Sequence, residues 1–218
     1  MKFHSLASIV LAIAMATPVN ANENLPEVDT DGLHLVKDSK VRVAYIRSGA
    51  SLSKYDKLII LDCFVEFREH WKRDYNLKQV GLTGRVDSKD MAEIKTKLAA
   101  EFKNVFSDEL QEKGGYPIVD TAGPDVLLVR PAILNLDAVA PDVGTAPTLY
   151  WTIVDSAGSM TLYMELYDSE TSEIIARVID PRTDRWGGLA NRTANKQAAD
   201  KILRHWAKLF REALDDVK

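Results

Sequence analysis

Most catalysis needs a nucleophilic or titratable side chain held near a partner, and this chain offers few candidates. Its single cysteine, Cys63, lies in the apolar run Leu58-Ile59-Ile60-Leu61-Asp62-Cys63-Phe64-Val65. A thiol in that setting reads as a small buried hydrophobe, because a reactive one needs an electropositive, accessible environment. Three histidines beyond the N-terminal leader could act as bases: His34, His70 and His205. His70 sits among Glu66, Arg68, Glu69 and Trp71, the composition of a solvated strand end. His205 precedes Trp206 in an expected helix, where an interface or core-edge role is the simpler reading. No Gly-x-Ser-x-Gly elbow occurs. The histidine and cysteine spacings do not match a zinc site. Asp180, Asp184 and Asp200 lack the loop pattern of a calcium hand. Gly81-Leu82-Thr83-Gly84 and Gly187-Gly188 lack the Lys-Ser/Thr of a phosphate loop. No metal and no cofactor are therefore expected.

What remains is carboxylates near expected strand ends: Glu66, Glu69, Glu165 and Asp180. Two of them sharing a concave pocket, with raised pKa values, would equip a hydrolase or a small-ligand site. Recognition is the competing use of this surface. Asp180-Pro181-Arg182-Thr183-Asp184-Arg185-Trp186-Gly187-Gly188 reads as a loop that couples charges to one large aromatic. Arg and Trp are enriched at protein interfaces because each combines a large contact area with directional polar groups. Tyr150-Trp151, in the Pro- and Gly-punctuated segment 138–158, would be costly to leave fully wet. The candidate binding residues are thus Trp151, Arg182, Arg185 and Trp186, although either tryptophan could instead fold back onto a sheet edge.

The elements that must position these residues follow from periodicity. Leu58 to Phe67 reads as a strand in the middle of a sheet, with 68–87 as a long charged connection. Asp87 or Ser88 can cap a helix carrying Met91, Ile94, Leu98, Phe102, Val105, Phe106 and Leu110 at helical spacing, closed by Gly114-Gly115. Burying those side chains is worth on the order of 10–20 kcal/mol gross, which an isolated helix cannot collect. Strands are expected at 116–120 and 126–136. Met160, Leu162, Met164 and Leu166 alternate with Thr161, Tyr163, Glu165 and Tyr167, then return through Ile174 to Ile179 as a hairpin. A last helix over about 190–216 carries the stripe Ala194, Ala198, Ile202, Trp206, Leu209 and Ala213, widened by Leu203, Phe210 and Leu214. The expectation is an α+β fold: a mainly antiparallel four- to five-stranded sheet with two long amphipathic helices packed on one face.

Several of these segments, in this order, resemble a known family. Ser53-Lys54-Tyr55-Asp56-Lys57, Gly114-Gly115-Tyr116-Pro117-Ile118-Val119 and Gly123-Pro124-Asp125-Val126-Leu127 carry the likeness in the first half. Tyr163-Met164-Glu165-Leu166-Tyr167-Asp168-Ser169 and His205-Trp206-Ala207-Lys208-Leu209-Phe210-Arg211 carry it in the second. Over residues 40–216 the chain is similar to the bacterial lipoprotein-like family of unknown function numbered 3313. The resemblance implies an envelope location and a compact α+β fold, and it brings no catalytic residues.

The N-terminus supplies the compartment. Lys2, the apolar run Leu6–Ala16 and Val19-Asn20-Ala21 form the three parts of a secretory signal peptide, with cleavage after Ala21. The apolar run is short for a span, which needs about 20 residues, so an uncleaved anchor is the weaker reading. No cysteine stands at the cleavage point, which departs from the lipoprotein pattern and argues against an N-terminal lipid. Loss of the leader removes Lys2 and no acid, taking the formal charge from −4 to −5. That balance argues against non-specific nucleic-acid binding. The expected organisation is a signal peptide at 1–21, a partly extended arm at 22–53 and a single α+β domain at 54–218. The expected product is a periplasmic envelope accessory or scaffold domain of a Gram-negative bacterium, with no transmembrane segment after cleavage. Its partner would be an envelope protein or a cell-wall component.

Overall fold

The computed structural model describes residues 25–79, 84–139, 152–154, 158–184, 188–190 and 192–218, with backbone alone for 152–154, 188–190 and 192–195. Its strands run β1 (Leu33–Leu35), β2 (Val43–Arg47), β3 (Lys57–Ile60), β4 (Phe64–Phe67), β5 (Val126–Ala138), β6 (Thr152–Val154), β7 (Gly158–Asp168), β8 (Ile174–Asp184) and β9 (Gly188–Ala190). The helices are α1 (Trp71–Leu77), α2 (Ser88–Gln111) and α3 (Arg192–Asp215). The α+β class and both long helices match the sequence reading. The sheet does not: among the described residues it has seven strands in the order β1-β2-β8-β7-β5-β3, with β4 also on β5, and β6 pairs with β9 in a separate ribbon.

Two physical facts enlarge and mix the sheet. The arm contributes β2, which pairs antiparallel with β8 from Val43↔Ile179 to Ile46↔Ala176. Strands β3 and β4 pair parallel with β5, because the chain between them crosses over through α1 and α2. A parallel pair needs such a crossover, whereas a tight turn gives an antiparallel one. The apolar run at 58–67 is also not central. It breaks at Leu61–Cys63 into two edge strands that share β5 end to end. The open side of β3 is closed by 117–119, where Leu58 N–H donates to the Pro117 carbonyl and Val119 N–H to the Leu58 carbonyl. The strand expected at 116–120 is thus a single bridge, Leu58↔Ile118.

Helix α2 starts at a capping box: the Asp87 carboxylate accepts from the Lys89 and Asp90 amides, while Asp90 accepts from the Asp87 amide. Leu98, Phe102, Val105, Phe106 and Leu110 are buried, and Met91 and Ile94 are half-buried. The helix ends at Gln111, and Lys113 and Gly114 then turn left-handed. Gly115 follows under α3, where an added Cβ would lie 2.1 Å from the Leu110 carbonyl oxygen and 2.2 Å from Arg211 Nη1. Only glycine fits there.

On α3 the buried stripe runs through Ala198, Ile202, Leu203, Trp206, Ala207, Phe210 and Leu214. It is rotated from the expected one: Leu209 is half-buried and Ala213 exposed. Both helices join the sheet residues Leu58, Val65, Leu127, Ile133, Leu162 and Met164 in one hydrophobic cluster. A smaller cluster of Leu33, Val43 and Tyr45 forms where the arm meets the sheet.

Helix α1 lies inside the segment read as a connection. Phe67, Trp71 and Tyr75 stack in series, with ring centroids 4.2 and 5.3 Å apart, and the Trp71 indole donates to the Ala138 carbonyl at 3.1 Å. Among the described residues no helix is long and apolar enough to cross a membrane.

Candidate functional site

Strand β8 places charged residues on both faces of the sheet. Asp180 points to the helix side and is only 2% exposed. Its Oδ1 accepts from the Arg42 amide at 2.8 Å, and its Oδ2 accepts from Arg182 Nε at 2.6 Å and from the Trp206 indole at 2.8 Å. Three donors on a buried carboxylate offset the cost of removing its charge from water. The same bonds tie the 36–42 connection, β8 and α3 together.

A cleft of about 640 Å³ opens beside this junction, where β2 has ended and β8 runs on as an edge. Pro181 lies in that stretch, and an edge strand is where a residue without an N–H is tolerated. Leu25, Leu35, Val36, Val41 and Pro181 supply its apolar lining. Lys37, Lys40, Arg42 and Arg182 supply its cationic lining. Lys40 is engaged with Glu212 at 2.9 Å and Asp216 at 3.5 Å, and Lys37 lies 3.6 Å from Glu27.

The opposite face carries a second network. Glu165 is 6% exposed and accepts from the hydroxyls of Tyr163 at 2.7 Å and Tyr167 at 2.8 Å. Its cross-strand neighbour Arg177 donates to it at 2.9 Å, and Arg177 also reaches Asp29 and Asp31 on the arm at 2.5 Å each. Burial alone pushes the Glu165 carboxyl up, but the bonds from Tyr163, Tyr167 and Arg177 outweigh it and hold the group below its ordinary value. Burial, reinforced by the bond to Glu165, pushes the Tyr163 phenol up to about 12. At the far end of the hairpin Asp168 accepts from Lys54 at 2.8 Å, Tyr55 at 3.0 Å and the Thr171 amide at 3.0 Å. The Lys54 ammonium and the Thr171 amide hold that carboxyl well below the usual range.

These positions answer the sequence reading residue by residue. The four strand-end carboxylates do not converge. Glu66 pairs with Lys95 at 2.8 Å, Glu69 lies 3.0 Å from His70, Glu165 sits in the arm network and only Asp180 borders the cleft. Cys63 is buried, and burial pushes its thiol up to about 12. Arg182 belongs to β8, not to a loop, since the strand extends through Asp184 and Gly188 opens β9. Trp151, Arg185 and Trp186 lie outside the described residues. Close to them in sequence, β6 pairs antiparallel with β9 from Thr152↔Ala190 to Val154↔Gly188. Sequence reasoning missed Arg42 and Arg177. The signal for Arg177 was a charge in the middle of an apolar strand.

The arm network makes two predictions. Arg177→Ala leaves Glu165 and Asp29 without their shared cation, and breaking a buried pair costs about 3–5 kcal/mol. Urea unfolding should show a loss of that size, with faster proteolysis near residues 25–31; unchanged stability would refute the role. An unfolded tyrosine ionises near pH 10. The stability that comes from keeping Tyr163 neutral is therefore complete below about pH 10 and is lost as pH rises through about 12. The difference in tyrosinate absorbance between the wild type and Tyr163→Phe should show a step near 12, and a step near 10 would contradict this environment.

Comparison with known proteins completes the site's context. No curated protein matches the chain. Among solved structures, the chain is similar to the PelC dodecamer from Paraburkholderia phytofirmans at 12% identity, over 77% of this chain and 96% of that one, with a TM-score of 0.39. It is similar to a candidate neuraminyllactose-binding hemagglutinin homolog from Helicobacter pylori at 14% identity, over 74% and 89% of the chains, with a TM-score of 0.36. A candidate lipoprotein from Caulobacter crescentus CB15 aligns at 11% identity, over 75% and 88%, with a TM-score of 0.32. Scores this low decide nothing about fold or function. The family model described as "Protein of unknown function (DUF3313)" matches residues 30–210, from just before β1 to well into α3. The chain belongs to the DUF3313 family.

Proposed function

We propose that this protein is an exported, periplasmic accessory or scaffold domain that acts by binding an envelope protein or cell-wall component, without catalysis. The observation that carries the reading is the β6–β9 pairing, which joins the segment after Trp151 to the segment after Trp186 in one ribbon beyond the end of β8. The described segments that follow Trp151 and Trp186 in sequence are thereby paired with each other, and Arg182 lies on the strand that precedes β9 in the chain. The hydrolase alternative draws no comparable support, because its carboxylates are dispersed and Glu165 and Asp180 are already saturated by donors. Export rests on Lys2, the apolar run that follows it and the small residue Ala21 at the proposed cleavage point.

One experiment tests both halves. The protein recovered from a Gram-negative periplasm should begin at Asn22 by mass spectrometry, and cross-linking in the envelope should capture a defined prey. Trp151→Ala and Trp186→Ala should each reduce that capture about tenfold or more, the effect of losing an aromatic interface anchor. Undiminished capture by the double variant removes the ribbon from the reading, and an intact N-terminus in cytosolic material removes the export.

A further inference from the structure

From the cleft between the 36–42 connection and β8, we infer a binding site for a small anionic amphiphile: one phosphate or carboxylate head on a single apolar chain. The volume of about 640 Å³ falls within the roughly 300–1,000 Å³ typical of small-molecule sites. The chemistry of its walls selects the ligand. Of the four cationic side chains, Lys37 and Lys40 already lean on Glu27, Glu212 and Asp216. Arg42 and Arg182 are different. Among the described residues the Arg42 guanidinium has no acidic partner, although its own backbone amide is fixed on Asp180. Arg182 gives Asp180 its Nε, and among the described residues the outer two nitrogens of its planar fork have no partner. A guanidinium presents parallel donors that match phosphate and carboxylate oxygens.

Asp180 does not oppose such a ligand. Its oxygens are occupied by the Arg42 amide, Arg182 Nε and the Trp206 indole, and it is almost wholly buried. It serves as an anchor that fixes Arg182 before any ligand arrives, which reduces the ordering cost of binding. The rest of the lining is largely apolar: Leu25, Leu35, Val36, Val41 and Pro181 carry no polar side-chain atom. A free inorganic anion would leave that apolar lining wet, and a neutral lipid would leave the Arg42 guanidinium and the outer nitrogens of Arg182 without an acceptor. An anionic head with a hydrocarbon body satisfies both.

Isothermal titration of the purified protein with dodecyl phosphate below its micelle concentration tests the assignment. Inorganic phosphate, neutral dodecyl maltoside and phosphatidylglycerol vesicles are the comparison arms. The expected result is saturable one-site binding of dodecyl phosphate, with inorganic phosphate and dodecyl maltoside each weaker by about tenfold or more. Arg42→Ala should weaken dodecyl phosphate by about tenfold, the worth of a charged hydrogen bond, with an unchanged thermal midpoint. Arg42→Lys should recover part of the loss. Equal binding of the neutral analogue, indifference to Arg42→Ala or absence of saturable binding each overturns the proposal. Binding to vesicles without binding to the monomer also overturns it, in favour of a membrane surface. A partner held by the β6–β9 ribbon would survive all of these failures, because Arg42 lies outside the ribbon.

Discussion

A single buried carboxylate joins the parts of this molecule that its sequence keeps furthest apart. Asp180 draws the arm through the Arg42 amide, α3 through the Trp206 indole and its own strand through Arg182. Hydrophobic burial attracts helices to a sheet without fixing their rotation or register, because the attraction is non-directional. Three directed bonds on one charged group supply that direction, and leaving any donor unmade strands a polar group in the interior. The cleft is a consequence of the junction, since its lining includes both the stretch of β8 around Asp180 and the chain that Asp180 ties to it.

The opposite face of the sheet is organised by the same logic with the signs exchanged. There a half-buried cation, Arg177, gathers Glu165 from the neighbouring strand and Asp29 and Asp31 from the arm. The arm is thus held from both sides of β8, at Arg42 on one face and at its two aspartates on the other. Strands β1 and β2 are short, and apart from Ile46 on the main core they contribute the small cluster around Leu33, Val43 and Tyr45. Such a cluster is modest beside the main core, so polar bonds carry much of the specificity of the arm's position. Among the described residues, Glu66, Glu69, Glu165 and Asp180 each answer to different partners.

Parts of this design were legible in the sequence for clear physical reasons. Helix α2 announced itself by the spacing from Met91 to Leu110 and by the acid that caps it at Asp87. The β7–β8 hairpin announced itself by alternation, and Glu165 fell on the non-core side as that alternation required. Strand partners were not legible. A period of two says which residues share a face, and nothing about which strand lies alongside, so β2 on β8 and the parallel β3 and β4 on β5 escaped notice. The run at 58–67 looked central because it is apolar, whereas it is an edge closed by 117–119 and packed on one side by α2. Helix α1 is seven residues long and too polar to show a stripe. The cleft was invisible for a deeper reason: its residues come from 25–42 and 180–182, stretches that only the finished register brings together.

The claim on which this account rests is that Asp180 holds α3, β8 and the arm as one cooperative unit. Hydrogen exchange on Asp180→Ala, read segment by segment, tests it most directly. The account predicts that protection falls together at residues 36–42, at the end of β8 and in α3 around Trp206, while the centres of β5 and β7 keep theirs. Loss confined to β8, with the arm and α3 as protected as in the wild type, would contradict it.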